Sequence, residues 1–206
     1  MGPMRVVAIV LAAGEGRRMG GPKALVPIGQ ETFLGHACRL FARPGIASVV
    51  AVLGAEAERV RARAGIPAET TVVVNERWRE GMLTSVWVGL DAAEALGAEA
   101  LLVHPVDNPL VAPATIDAVL AALETGAPIA VPAHGGRRGH PAGFARPSWP
   151  ALRAAPLDGG ARAVLAARPE RVVHVPAGRD CLVDLDTPDD LEAERPADVG
   201  RPRRGI

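Results

Sequence analysis

The sequence predicts an α/β fold, a single domain built on a mostly parallel sheet flanked by helices. Three observations predict it. Apolar runs of strand length recur at Val6–Leu11, Val49–Leu53, Thr71–Val74 and Ala100–His104, and the first two read as continuous runs of the kind buried on both faces. Segments with helical spacing of apolar residues lie between them, and such alternation builds parallel sheets. The first run ends in a glycine-rich turn, a common device at the carboxyl end of a first strand.

Taken in order, the elements read as follows. Thr32 to Phe41 places Phe33, Leu34, Ala37, Cys38, Leu40 and Phe41 at helical spacing, and Pro44-Gly45 stops the helix. Glu56–Ala64 is charged and alanine-rich, an exposed helix ended by Gly65. Glu76 to Met82 is a polar loop, after which Thr84 or Ser85 caps a helix running to Leu96. Pro105–Pro113 is a loop and Ala114–Leu123 a helix. Beyond Gly126 the texture changes: a strand at Ile129–Val131, a hairpin tip at Gly135–Pro141 and a return strand at Ala142–Phe144. Together they predict a small antiparallel addition in the C-terminal half. Pro147–Pro156 reads as a connection, Ala161–Ala167 as a short helix, Arg171–Val175 and Leu182–Leu185 as strands. Thr187-Pro188-Asp189-Asp190 starts a last helix with a hydroxyl cap, proline at the first position and acids in the first turn. The domain is expected over residues 1–194. The stretch 195–206, rich in proline, glycine and arginine, is expected to be a disordered tail.

Composition narrows the function. The 23 basic residues balance 23 acidic ones, so no net field attracts nucleic acid or an anionic membrane. With no tyrosine, three phenylalanines and three tryptophans, the chain lacks material for base-stacking platforms. Cys38 and Cys181 stand alone, without metal-type spacing or a disulfide framework. No apolar run approaches the roughly 20 residues of a membrane helix, and Met1 to Val7 lacks a signal-peptide layout. The expected location is the cytoplasm.

The chemistry concentrates in Leu11-Ala12-Ala13-Gly14-Glu15-Gly16-Arg17-Arg18-Met19-Gly20-Gly21-Pro22-Lys23-Ala24-Leu25. Glycines let the backbone turn and approach a ligand, and Arg18 and Lys23 add positive charge, a combination that suits a polyphosphate. The spacing is not that of a dinucleotide-binding fingerprint, because the third glycine comes one place late and Pro22 interrupts any helix. Nor is it a Walker A loop, because Pro22 follows Gly21 and Ala24 replaces the magnesium-binding hydroxyl. Open α/β sheets collect ligands at the carboxyl ends of their strands. Those ends also deliver Asn75, then Gly81, Thr84 and Ser85, and Asp107, and finally Asp184 and Asp186. Asp107 follows a buried strand between prolines and is placed to ligate Mg2+, which prefers one or two carboxylates plus phosphate oxygens and water. Asp184 and Asp186, two residues apart on a strand, would face the same side. Asn75 with the hydroxyls of Thr84 and Ser85 supplies hydrogen bonds for a base edge.

The segment Leu-Ala-Ala-Gly-x-Gly-x-Arg-Met-Gly-x-Pro-Lys-x-Leu resembles the signature of nucleotidyltransferases of the glycosyltransferase-A type. Within them it is most similar to the branch that builds molybdenum-cofactor dinucleotides. Further matches follow in the family's order. They are Asn75 with Gly81-Met82-Leu83-Thr84-Ser85, Asp107-Asn108-Pro109, Gly139-His140-Pro141, a looser Leu157-Asp158-Gly159-Gly160-Ala161-Arg162, and Asp184-Leu185-Asp186-Thr187-Pro188. His104-Pro105-Val106 departs from the family's usual small residues, and Leu157 replaces a glycine.

The resemblance implies a Rossmann-like domain of the nucleotide-diphospho-sugar transferase type. It implies transfer of a nucleoside monophosphate from a triphosphate to a phosphate-bearing acceptor, with loss of pyrophosphate. By matching, Arg18, Lys23, Asp107 and Asp186 are catalytic. Leu11, Ala12, Ala13, Gly14, Gly16, Arg18, Lys23, Asn75, Gly81, Thr84, Ser85 and Asp107 bind nucleotide, while His140 and Arg162 face the acceptor. Asp107 and Asp186, joined by Asp184, hold Mg2+. CTP and molybdopterin are the leading pair, with a molybdoenzyme or cofactor-delivery protein as partner. GTP, or a sugar- or polyol-phosphate acceptor, is the alternative within the class. A non-catalytic nucleotide- or cofactor-binding module is the alternative outside it.

Overall fold

The computed structural model describes residues 2–158 and 160–194, apart from the side chains of residues 161 and 162. The chain opens with β1 (Val6–Ala12), then a two-stranded ribbon of β2 (Pro27–Ile28) and β3 (Glu31–Thr32) that leads into α1 (Phe33–Phe41). There follow β4 (Ser48–Leu53), α2 (Ala57–Arg63), β5 (Thr71–Val74), α3 (Met82–Ala95), β6 (Ala100–Pro105) and α4 (Pro113–Glu124). The second half contains β7 (Ile129–His134), β8 (Arg137–Arg138), β9 (Ala142–Ala145), α5 (Trp149–Arg153), α6 (Gly160–Ala167), β10 (Val172–Pro176) and α7 (Pro188–Ala193).

The main sheet has the order β10–β7–β9–β6–β1–β4–β5, with β8 paired to β7. Pairs β1–β4, β1–β6, β4–β5 and β10–β7 are parallel; β9 runs antiparallel to both β6 and β7. The mostly parallel sheet and its C-terminal hairpin addition are therefore present. The β7–β8 turn is Gly135-Gly136, both at positive φ (55° and 77°), which glycine adopts without the penalty of a Cβ.

Alternation along β1 sorts the core. Val6, Ala8 and Val10 face one side, with Phe33, Leu34 and Phe41 of α1 and Ile116, Val119 and Leu123 of α4. Val7, Ile9 and Leu11 face the other, with Leu83, Val86 and Leu90 of α3 and Trp149 and Leu152 of α5. A Cβ at Gly89 would collide with Ile9, so α3 lies unusually close to β1. That approach sets the first turn of α3 beside the end of β1.

Three expectations fail. Leu182–Leu185 forms no strand: a 3-10 turn over Arg179–Leu182 precedes it, and Leu185 N–H donates to the Asp107 carbonyl at 2.7 Å. The segment crosses the strand ends instead, where Asn108 Nδ2 also donates to the Val183 carbonyl. Pro147–Pro156 holds α5, whose proline lies in the first turn, where no N–H is needed. Thr84 and Ser85 do not cap α3; the cap position is Gly81 at φ 123°, and both hydroxyls lie inside the helix. The stretch 195–206, expected to be a disordered tail, lies outside the described residues.

His104 stands in β6 with no solvent exposure and packs on Phe41, ring centroids 4.8 Å apart. Among the described residues neither ring nitrogen has a hydrogen-bond partner. Burial first, and the nearby charge of His140 second, lower its pKa to about 3, against a weak opposing pull from the Asn108 backbone. A histidine depressed on folding stabilises above its unfolded pKa and loses that contribution as pH falls towards its folded one. Stability should thus decline from about pH 6.5 downwards, before the carboxylates titrate. In His104→Leu, followed by chemical denaturation across pH 4.5–7, this decline should be largely absent.

Candidate functional site

The glycine loop folds back on itself at the end of β1. Gly16 sits at φ 63°, and a Cβ there would overlap the Gly21 carbonyl, so only glycine fits. Met19 and Gly21 N–H groups both close on the Gly16 carbonyl, at 2.8 and 3.2 Å, around a 3-10 turn over Arg17–Met19. Pro22 then redirects the chain into a second 3-10 turn, Lys23–Leu25, which carries Lys23 back towards the sheet.

Lys23 meets two carboxylates from remote parts of the chain. Its Nζ donates to Asp107 Oδ2 at 2.7 Å and to Asp186 Oδ1. Arg18 Nη2 reaches the other oxygen of Asp186 at 2.9 Å. The Lys23 side chain is only 15% exposed, whereas that of Arg18 is 65% exposed. Burial alone would lower the Lys23 pKa. Hydrogen bonds to both carboxylates, together with their charge, outweigh it and raise the ammonium above its ordinary value. The Lys23 hydrogen bond, chiefly, and the Arg18 charge hold the Asp186 carboxyl below the usual range.

Backbone bonds fix both carboxylates. Leu185 N–H to the Asp107 carbonyl clamps the C-terminal segment on the loop after β6. Asn108, fully buried, donates from Nδ2 to the Val183 carbonyl at 2.8 Å. Asp190 in the first turn of α7 accepts from the Asp186 and Thr187 N–H groups at 3.0 and 2.7 Å, and Thr187 completes a capping box. Asp184 takes no part in the Lys23 contacts and lies 3.4 Å from Asn108 Nδ2. Although much of Asp184 is open to solvent, crowding around its carboxyl and then the charge of Asp107 raise its pKa.

A cavity of about 200 Å³ opens above the strand ends, lined by Leu11, Ala12, Ala13, Gly14, Gly16, Lys23, Ser85 and Asp107, with Ala24, Trp78, Met82, Pro105 and Val106. A neighbouring cavity of about 680 Å³ shares Leu11, Met82 and Pro105 with it and holds His140, Arg138 and Asp158 against Leu83, Val86, Val131 and Phe144. The expected residues thus divide. The glycine loop, Lys23, Ser85 and Asp107 share the smaller cavity; Arg18 and Asp186 adjoin it through ion pairs. Asn75 and Thr84 do not line it. Asn75 is buried and spends its amide on Thr84 and Ser85, at 2.8 and 2.9 Å, and its oxygen on the Arg77 N–H. Gly81 shapes the start of α3 without lining either cavity. The side chain of Arg162 lies outside the described residues.

Residues 8–172 match the MobA-like NTP transferase domain. The chain belongs to this family of nucleotidyltransferases. It is 37% identical to the molybdenum cofactor guanylyltransferase of Acidiphilium cryptum over 204 residues, 94% of each chain. It is 35% identical to the nicotine blue oxidoreductase of Paenarthrobacter nicotinovorans, covering 80% of this chain and 83% of that one. Against the 2-C-methyl-D-erythritol 4-phosphate cytidylyltransferase of Streptomyces avermitilis, identity is 38%, but the match spans 63% of this chain and 54% of that one. The crystal structure of Rv0371c from Mycobacterium tuberculosis superposes with a TM-score of 0.81 at 29% identity, covering 93% and 98% of the chains. A complex of that protein with manganese gives 0.72 at 28% identity, covering 92% and 97%. Among the described residues no helix is long and apolar enough to cross a membrane.

Sequence reasoning missed Trp78, Met82 and Arg138 as cavity residues, and Asn108 as the tie between two loops. Met82 is 62% exposed, unusual for a large apolar side chain; it lies inside the matched Gly81–Ser85 stretch, but a thioether offers no polar group that marks it as a site residue. The capping box supplies a test. Thr187→Ala should cost about 1 kcal/mol of stability, roughly 3 °C in Tm. It should also lower activity more than that loss explains, because the Asp190 carboxylate that accepts from the Asp186 N–H loses its Thr187 hydroxyl partner and holds Asp186 less firmly. Thermal melts alongside initial rates check this.

Proposed function

We propose that residues 1–194 transfer a nucleoside monophosphate from a nucleoside triphosphate to a phosphate oxygen of an acceptor, releasing pyrophosphate. One observation carries the reading: a backbone-lined glycine loop, the half-buried Lys23 ammonium and the Asp107 carboxylate share one cavity at the strand ends, with Asp186 adjoining it through its pair with Lys23. In this reading the Gly14–Gly16 turn and Ala12-Ala13 approach the triphosphate, Arg18 and Lys23 neutralise its oxygens, and Ser85 borders the cavity on the α3 side. Charge developing on phosphoryl oxygens meets fixed cations in a partly enclosed site, so positioning and electrostatics supply the rate.

The carboxylates fit a hard divalent cation. Their oxygens converge closely enough to touch one ammonium, and carboxylate oxygens are the donors Mg2+ prefers. Asp107 and Asp186 would hold it, with Asp184 close by. When bound, the ion neutralises phosphate charge and aligns attacking and leaving oxygens.

The larger cavity suits an acceptor with a flat ring body and polar edges, of the molybdopterin kind, since Leu83, Val86, Val131 and Phe144 line it beside Arg138, His140 and Asp158. His140 and Arg138 face this acceptor, with Arg162 the third contact implied by the resemblance. CTP is the donor the sequence resemblance favours. GTP is the second reading, supported by the guanylyltransferase relative that spans 94% of this chain.

Pyrophosphate release should depend on one nucleotide, a divalent ion and molybdopterin together. Asp107→Ala should lower the rate at least about a hundredfold while leaving the melting curve intact. A normal rate in that variant would remove the mechanism. Nucleotide-dependent colour change without pyrophosphate would point instead to redox chemistry like that named for the Paenarthrobacter relative.

A further inference from the structure

We infer that the Lys23 ammonium and the divalent cation are alternative occupants of one seat, so that the ion loads only as Lys23 leaves the carboxylates. The inference rests on the nucleotidyltransferase reading for the identity of the ion, and on geometry for everything else. Lys23 Nζ lies 2.7 Å from Asp107 Oδ2 and also contacts Asp186 Oδ1. An ion bound by the same two oxygens at its usual distance of about 2 Å would fall almost on the ammonium. A divalent and a monovalent cation that close repel strongly in a site of reduced dielectric. Both cannot stay.

The seat does not need Lys23 to hold its shape. The clamp from Leu185 N–H to the Asp107 carbonyl fixes one carboxylate's loop. The Asp190 bonds and the Arg18 pair fix the other. Removing the lysine therefore leaves the carboxylates in place with the cation they share gone and Arg18 still on the outer oxygen of Asp186. Lys23 also has somewhere to go. It lines the same cavity as Gly14 and Gly16, so once displaced it remains beside the expected polyphosphate. Ion and nucleotide would then assist each other's binding by the same factor, since binding couplings are reciprocal.

The test is Mn2+ binding to the full chain without nucleotide, followed by electron paramagnetic resonance or calorimetry. Lys23→Met should bind Mn2+ about tenfold or more tightly than the natural protein, because one competing charge has been removed. Lys23→Arg, which keeps the charge, should show no such gain. Equal or weaker binding by Lys23→Met would overturn the proposal. A second measurement needs no variant. In 1H–15N spectra of lysine ammonium groups, the natural protein should show one protected signal that disappears as Mg2+ is added. If that signal persists while Mg2+ binds, the two do not share a seat. Both readouts are independent of turnover. Failure of pyrophosphate release would count against the proposed reaction and leave the exchange standing; the converse also holds.

Discussion

Three distant parts of this chain meet around a single ammonium group. Lys23 follows the first strand, Asp107 follows β6, 84 positions on, and Asp186 lies 163 positions on, before the last helix. Two carboxylates crowded at the edge of a sheet repel each other, and folding the C-terminal segment over the strand ends brings them together. A half-buried cation offsets that repulsion, and Arg18 adds a second on the exposed side. The strength of the arrangement depends on partial burial, since the same contacts in full solvent would contribute little.

The sheet explains why these groups can meet at all. β1 lies between β4 and β6 in the middle of the parallel half, so the loops after β1 and β6 emerge side by side. Val106 N–H donates to the Leu11 carbonyl at 3.0 Å, locking the two loops together at their origin. The glycine loop then has a fixed base and a free crest. The C-terminal segment closes the third side through Leu185 and Asn108. Each of these contacts is backbone-directed, which suits a site whose charged side chains must be free to rearrange.

The buried strands and most of α1 and α4 were legible because their apolar runs have one interpretation at that length. The site's main charges were legible through the rule that open sheets bind at strand ends. What escaped depended on contacts that no local pattern announces. Leu182–Leu185 has strand-like residues, yet its backbone is taken up by the loop after β6, through the Asp107 carbonyl and the Asn108 amide. Thr84 and Ser85 look like helix caps, but the helix begins earlier at Gly81, and Asn75 turns inward to satisfy them. α5 was hidden by its prolines. Arg138 and Met82 became cavity residues only through the packing of the β7–β8 hairpin and α3 around the larger cavity.

The central claim is that the two carboxylates hold a divalent ion against the phosphates of the nucleotide gripped by the glycine loop. Phosphorus-31 relaxation of the bound triphosphate in the presence of Mn2+ tests it most directly. The account predicts strong paramagnetic broadening of the α-phosphorus in the natural protein, and its loss in Asp107→Asn with nucleotide still bound. Identical broadening in both proteins would show that the ion sits on the nucleotide without the help of these carboxylates, and would contradict the account.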